Sequence, residues 1–396
     1  MSLPGERLAT SAAVPRELLR APRRSEPLAF TLTISLLMLL GAVAMAVVLV
    51  ASNAPKALEV GVVLAAVPVG PVVAAYLWLD RYEPEPIRLL GFAFGWGALV
   101  ATSAALLLQA VDEFAFQSNR GTLGTVVAPL TEEAAKGFFI LLLLWLRRAE
   151  LDGILDGLVY AGLVGVGFAF TENILYLGSA YMGGHDAGSG GFGAATGLFV
   201  VRGVFSPFAH PLFTSFTGIG VGYAVVTRSR FWRFFAPVLG YAAAVIAHAT
   251  WNSSLLIHGG HDFVLTYVFL MVPAFLLVVA FAIWARAREG RMLTRSLSEC
   301  AAAGYLDAPQ VPWLVRLPAR RASRRYAARV GGRGAAAVMR EYQQQAVELG
   351  FLHDRARRGT APADFVARGD AMVRRLAALR PYAIFPQAHS RGEVPR

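Results

Sequence analysis

The chain has 396 residues, of which 56% are hydrophobic and only 16% are charged. This balance excludes an ordinary soluble domain and is typical of a membrane protein. The formal net charge of +11 lies mostly in the tail, where 21 arginines and 9 acidic residues follow Ala285. A basic tail beside membrane helices indicates a cytoplasmic segment facing anionic lipid, and no nucleic acid partner is expected. The single cysteine, Cys300, excludes an intrachain disulfide.

A helix needs about 20 apolar residues to cross the hydrocarbon core of a bilayer. The first apolar run begins only after a polar, arginine-containing stretch, so we interpret it as a membrane helix and not as a cleaved signal peptide. The sequence therefore predicts an all-α fold, a polytopic bundle of about eight spans with a small helical cytoplasmic C-terminal region. The predicted spans are 29–51, 60–79, 89–111, 125–146, 154–178, 197–226, 231–257 and 263–285.

The sixth span is expected to kink or break, because Ser206-Pro207 and Pro211 interrupt it and proline removes a helical hydrogen bond. The glycine-rich stretch 183–197, which leads into this span, is expected to be a flexible external loop.

Arginines follow the fourth, sixth and eighth spans, all on the side of the N terminus. This asymmetry predicts a multi-pass protein of the plasma membrane with both termini in the cytoplasm. Three regions are expected: a disordered cytoplasmic segment at 1–28, the membrane bundle at 29–285, and an arginine-rich helical cytoplasmic tail at 286–396.

Several polar residues lie inside the predicted spans, where an ionisable group costs about 2.5–3.5 kcal/mol on insertion scales. Glu132 and Lys136 are four residues apart, as are His248 and Asn252, so each pair shares a helix face. Because isolated charges would not be tolerated, the sequence predicts one shared polar site in the bundle interior. Its candidate catalytic residues are Glu132, Glu133, Glu172, His210, His248 and Asn252, with Lys136, Phe168 and Asn173 in support.

The chain contains 35 arginines but only two lysines, Lys56 and Lys136. A lysine inside a membrane helix of so arginine-rich a chain favours a tight site that accepts a compact ammonium and not a guanidinium fork.

The stretches that carry these residues resemble the PrsW family of proteases. They read E-E-A-A-K at 132–136, G-F-A-F-T-E-N at 167–173, H-P-L-F-T-S-F-T-G at 210–218 and H-A-T-W-N at 248–252, and D-R-Y-E-P-E-P at 80–86 looks similar too. The tail from Glu299 resembles an extension of actinobacterial members. The resemblance implies an intramembrane endopeptidase that cleaves a membrane-anchored protein, typically an anti-sigma factor.

The wider CAAX-protease-like superfamily includes prenyl proteases with the patterns E-E-x-x-x-R, F-x-x-x-H and H-x-x-x-N. This chain departs from those patterns at two positions. Lys136 stands one position earlier than the arginine, and Glu172 stands where the prenyl proteases have histidine.

Two chemical routes fit the candidate residues. In the first, a divalent metal, zinc, is held by His210, His248 and Glu172, with Glu132 or Glu133 as general base. In the second there is no metal: Glu132 activates water, as the resemblance to the prenyl proteases implies, while His248 and Asn252 polarise the carbonyl.

Two other classes of function use the same residue types. Buried glutamate, histidine and lysine also build proton relays, so a proton- or ion-coupled transporter is one alternative, and a non-catalytic membrane scaffold is another. Among other intramembrane proteases, the zinc class lacks its H-E-x-x-H motif here and the aspartyl class lacks its G-x-G-D motif.

Overall fold

The structure is a computed structural model that describes residues 28–52, 54–82, 84–183, 189–256 and 262–386. Nearly all of the predicted N-terminal segment 1–28 therefore lies outside the described residues. Within the described ranges the regular elements are helices and no strand is present.

We number twelve helices along the chain. They are α1 (Leu28–Ser52), α2 (Pro55–Ala66), α3 (Val69–Leu79), α4 (Ile87–Phe116), α5 (Ala128–Leu146), α6 (Ile154–Met182), α7 (Gly191–Phe199), α8 (Ala209–Val226), α9 (Arg230–Leu256), α10 (Phe263–Ala302), α11 (Leu317–Arg357) and α12 (Phe365–Leu379).

Seven described helical segments are long and apolar enough to cross a membrane, with α2 and α3 counted as one and α7 and α8 as another. The remaining predicted span, 125–146, is helical as well, over the π-helical turn Leu123–Val127 and α5. This span differs from the other seven in composition, because the three charged residues Glu132, Glu133 and Lys136 lie within it. The prediction of an all-α polytopic bundle is confirmed.

The proline break in the sixth span is also confirmed. The π-helical turn Val200–Phe205 ends at Ser206, and α8 begins at Ala209. The prediction of a loop over 183–197 was wrong in its second half, where α7 begins at Gly191. Alanine, leucine and phenylalanine between the glycines make this stretch apolar, and that outweighs the weak helix propensity of glycine.

The chain folds into two compact units. The described part of one, the membrane bundle, lies within residues 28–80 and 84–285; the described part of the other comprises residues 81–82 and 286–386. We call the second the tail unit. Its apolar core includes Leu293 and Leu297 of α10 and Val338, Tyr342 and Val347 of α11.

Helix α6 is the centre of the bundle and packs against α2, α4 and α8. Glycines allow the closest of these approaches. A Cβ atom added at Gly218 of α8 would lie 2.2 Å from the carbonyl oxygen of Gly157 in α6, and the reverse distance is also 2.2 Å. This crossing positions the glutamate of α6 beside the histidine of α8.

A short network of polar side chains lies just after the end of α3. Asp80 accepts a hydrogen bond from the backbone N–H of Glu85 at 2.8 Å, and the Tyr160 hydroxyl donates to Glu85 Oε2 at 2.6 Å. Burial raises the pKa of the Asp80 carboxyl to about 7.

We expect Gly218→Ala to destabilise the bundle by about 1–3 kcal/mol, the usual cost of overpacking, because α6 and α8 must separate. Gly70→Ala is the matched control, since a Cβ at Gly70 of α3 meets nothing within 4 Å. The measurement is the apparent melting temperature in detergent. Equal melting temperatures for the two variants would show that the crossing is not tight.

The stability of the wild-type protein should fall as the pH rises through about 7. The folded-state pKa of Asp80 lies above its ordinary value of 3.8, so the folded state binds this proton more tightly than the unfolded state. The stabilisation is complete at acidic pH and is lost once the group ionises. Asp80→Asn keeps a hydrogen-bond acceptor and removes the titration. The melting temperature of wild type relative to this variant should therefore decrease from pH 5 to pH 8; parallel curves would contradict the prediction.

Candidate active site

The ammonium group of Lys136 lies at the centre of a buried polar cluster. Its Nζ is 2.8 Å from Glu133 Oε1, 3.1 Å from His210 Nδ1 and 3.5 Å from Glu132 Oε2. The Lys136 side chain is 0% exposed, and its ammonium also stands 3.8 Å from the ring centroid of Phe168. The two glutamates sit three and four residues before the lysine, so one helix turn of α5 brings all three charges together.

Glu133 connects α5 to two other helices. Its Oε1 also faces His248 Nδ1 of α9 at 3.0 Å, and its Oε2 accepts a hydrogen bond from the Thr214 hydroxyl of α8 at 3.1 Å. The carboxylate thus has a partner on each of three helices and no exposed surface. This environment suits a fixed anion that orients its neighbours.

Glu172 of α6 forms a second ion pair on the other side of His210. Its Oε2 lies 2.7 Å from His210 Nε2 and also accepts from the Arg202 guanidinium. Arg202 Nε donates to Asn173 Oδ1 at 2.6 Å, and the guanidinium stacks 4.3 Å from the ring of Tyr176.

The two histidine rings meet edge to face, with ring centroids 5.2 Å apart. Each is anchored at one nitrogen by a carboxylate: Glu133 at Nδ1 of His248, and Glu172 at Nε2 of His210. The second nitrogen of each ring is turned toward the α5 charges, since His248 Nε2 is 3.8 Å from Glu132 Oε2 and His210 Nδ1 adjoins Lys136.

One described group of residues could hold a metal ion. Glu132, His210 and His248 offer ligand atoms that all lie within 4.8 Å of one another. The predicted set contained Glu172 in place of Glu132. In the structure Glu172 is engaged by Arg202 and anchors His210 from the far side of the ring, so Glu132 is the carboxylate of this group.

Asn252 lies apart from the cluster although it follows His248 by one helical turn. Its amide donates to the backbone carbonyl of Gly124 at 2.8 Å, which fastens α9 to the turn before α5. Asn173 reaches the cluster through Arg202. The other seven predicted site residues are brought together: Glu132, Glu133, Lys136, Phe168, Glu172, His210 and His248.

A cavity of about 360 Å³ opens beside this cluster. Glu132 and Glu172 line it from α5 and α6, together with Gln109 of α4. Gln109 Nε2 donates to Glu132 Oε1 at 3.2 Å, so this carboxylate is held toward the open space. Val48 and Ser52 of α1 form part of the opposite wall.

Sequence reasoning missed Arg202, Gln109 and Thr214. Arg202 left a usable signal, because it is the one Lys, Arg, Asp or Glu residue in the apolar run 191–226. A charge at that depth requires a partner. Gln109 and Thr214 left none, since uncharged polar residues are common in membrane helices.

A polytopic bundle that buries carboxylates, imidazoles and a lysine beside a cavity has the components of an intramembrane hydrolase. Comparison with known proteins agrees. Residues 85–278 match the family described as PrsW family intramembrane metalloprotease.

Curated relatives named Protease PrsW are similar to about half of this chain. The protein of Bacillus subtilis strain 168 is 24% identical over 217 residues, 54% of this chain and 88% of that protein. The protein of Oceanobacillus iheyensis is 27% identical over 55% of this chain and 92% of its own length. The protein of Clostridioides difficile strain 630 is 25% identical over 54% of this chain and 84% of its own length. No solved structure matches the chain.

The chain belongs to the PrsW family and is an intramembrane peptidase. Membership in this family favours the peptidase over the transporter and the scaffold.

Breaking the pair between Arg202 and Glu172 should be strongly destabilising. Arg202→Gln leaves a nearly buried carboxylate without its guanidinium, which costs about 3–5 kcal/mol. The double variant Arg202→Gln/Glu172→Gln removes both charges and should lose less stability than the sum of the single variants. Melting temperatures of the three variants in detergent test this. Additive losses would mean that the two residues do not interact.

Proposed function

We propose that this chain cleaves a single-pass, anti-sigma-factor-like membrane protein, and that Glu132, His210 and His248 carry out the hydrolysis. The charge balance of the site supports the choice of these three residues, and the substrate class rests on the resemblance to the PrsW family. Its described residues include three carboxylates but two permanent cations, Lys136 and Arg202.

Two of the carboxylates are neutralised at short range. Glu133 is paired with Lys136, and Glu172 is paired with Arg202. Among the described residues, the nearest basic nitrogen to Glu132 is that of Lys136, at the longer distance of 3.5 Å. Glu132 is therefore the carboxylate whose negative charge is least compensated, and it also lines the cavity.

The donor set fits a divalent cation. Two imidazoles and one carboxylate form a known catalytic zinc set. Metal-bound histidines are usually anchored by a hydrogen bond at their second ring nitrogen. Here Glu133 holds one nitrogen of His248, and Glu172 holds one nitrogen of His210. On this basis zinc is the proposed metal. When bound, the metal would polarise the scissile carbonyl and lower the pKa of the attacking water.

The chain's own residues have separate tasks in this scheme. Glu133 and Glu172 fix the orientation of the two imidazole rings. Gln109 holds Glu132 at the cavity wall, where a water and a scissile peptide can meet it. If no metal is present, Glu132 is still the group placed to accept the proton of the water.

The site lies closer to one end of the bundle. Glu132 is nine residues from Leu123, Glu172 is ten from Met182, and His248 is eight from Leu256. At 1.5 Å per residue these separations are about 12–15 Å. These three ends belong to the side opposite the N terminus when successive spans alternate in direction. With cytoplasmic termini, the proposed cleavage falls in the outer part of the substrate's membrane segment.

Glu132→Gln should lower the cleavage rate by about 10²–10⁴-fold, the usual contribution of a general acid–base group, with the protein still folded in the membrane. The measurement is a proteomic comparison of membrane proteins in cells that carry either form. The control is Glu59→Gln, because Glu59 is exposed and pairs with Lys56 at 2.9 Å, away from the site.

In the Glu132 variant the intact substrate should accumulate and its released fragment should disappear. The same fragments in both cell types would remove Glu132 from the mechanism.

A further inference from the structure

The first half of α11, in the tail unit, carries positive charge without any acidic residue. Residues 317–333 contain six arginines and no aspartate or glutamate. Arg321, Arg325 and Arg329 are exposed and follow one another at intervals of four, so they line one face of the helix. The buried residues of the opposite face are Ala319, Ser323 and Ala327.

We call Arg321, Arg325 and Arg329 the arginine stripe. Like charges one turn apart disfavour a helix, and residues 317–331, before the non-helical Gly332, supply no acid to offset them. Two exposed arginines elsewhere in the tail unit are paired with acids: Arg295 with Glu299 at 3.1 Å, and Arg380 with Asp307. Among the described residues of this unit, no carboxylate forms an ion pair with a member of the stripe.

The positive potential extends around the helix to a neighbouring half-buried arginine. Burial lowers the pKa of the Arg324 guanidinium, and the charges of Arg340 and Arg321 lower it further. Arg324 is thus repelled by Arg321 and Arg340, so the positive charge is not confined to the arginine stripe. A surface of this kind is stabilised by an anion from outside the chain.

We propose that the arginine stripe is a binding surface for the phosphate groups of anionic lipids. Guanidinium forks match phosphate oxygens bidentately, and they do so better than an ammonium. Helix α10 continues from the membrane span into the tail unit without a break, so the unit is tethered beside the bilayer. Because of this tether, the effective concentration of lipid headgroups near the tail unit is higher than that of a soluble polyanion.

The test uses the full chain in nanodiscs of phosphatidylglycerol or of phosphatidylcholine, with hydrogen exchange of residues 317–331 as the readout. Binding to the folded helix stabilises it by mass action. We expect exchange to be at least about tenfold slower in the anionic discs at low salt, and the difference to vanish at about 1 M salt, where the Debye length is about 3 Å.

The variant Arg321→Gln/Arg325→Gln/Arg329→Gln should show equal exchange in the two lipids, and its exchange in phosphatidylcholine discs should be no faster than that of wild type, because removal of the like charges does not destabilise the helix. The control Arg295→Gln/Arg368→Gln/Arg380→Gln removes the same charge from arginines that each have an acidic partner, and it should keep the slowing.

Four results would overturn the proposal. Equal exchange in both lipids excludes a headgroup site. Slowing in phosphatidylcholine discs after addition of inorganic phosphate identifies a free anion as the ligand, and slowing after addition of duplex DNA identifies a nucleic acid surface. Loss of the slowing in both triple variants would show that net charge is responsible and not the stripe.

Discussion

The buried contact between Lys136 and Glu133 is the interaction on which the site depends. An ammonium group with no exposed surface is stable inside a membrane protein only if it is paired and hydrogen-bonded. Lys136 obtains these partners from its own helix and from α8, while Glu133 reaches α8 and α9. The charges of the proposed active site therefore also hold its helices together.

Close helix crossings make this convergence possible. The glycines at the contact of α6 with α8 let their backbones approach until a methyl group would not fit, which brings Glu172 within 2.7 Å of His210. The proline break before α8 has a related effect, because Arg202 on the preceding turn reaches Glu172 and Asn173. The close packing of small residues lets the charged side chains reach one another, and the pairing of those side chains in turn holds the helices together.

Much of this arrangement could be predicted from the sequence, since the cost of burying charge predicts that Glu132, Lys136, His210 and His248 must meet. Sequence spacing shows which residues share a helix face, but it does not show which other part of the chain packs against that face. Asn252 shares a face with His248 and still binds a backbone carbonyl. Glu172 was predicted to be a metal ligand, and in the structure its carboxylate contacts Arg202 and His210.

The most direct test of this account is the metal content of the purified chain. We predict about one divalent metal ion per chain in wild type, lost in His210→Ala and in His248→Ala. His353→Ala should retain it, because His353 lies in the tail unit beside Glu299. A chain that cleaves its substrate without bound metal and in the presence of a chelator would contradict the proposed metal centre.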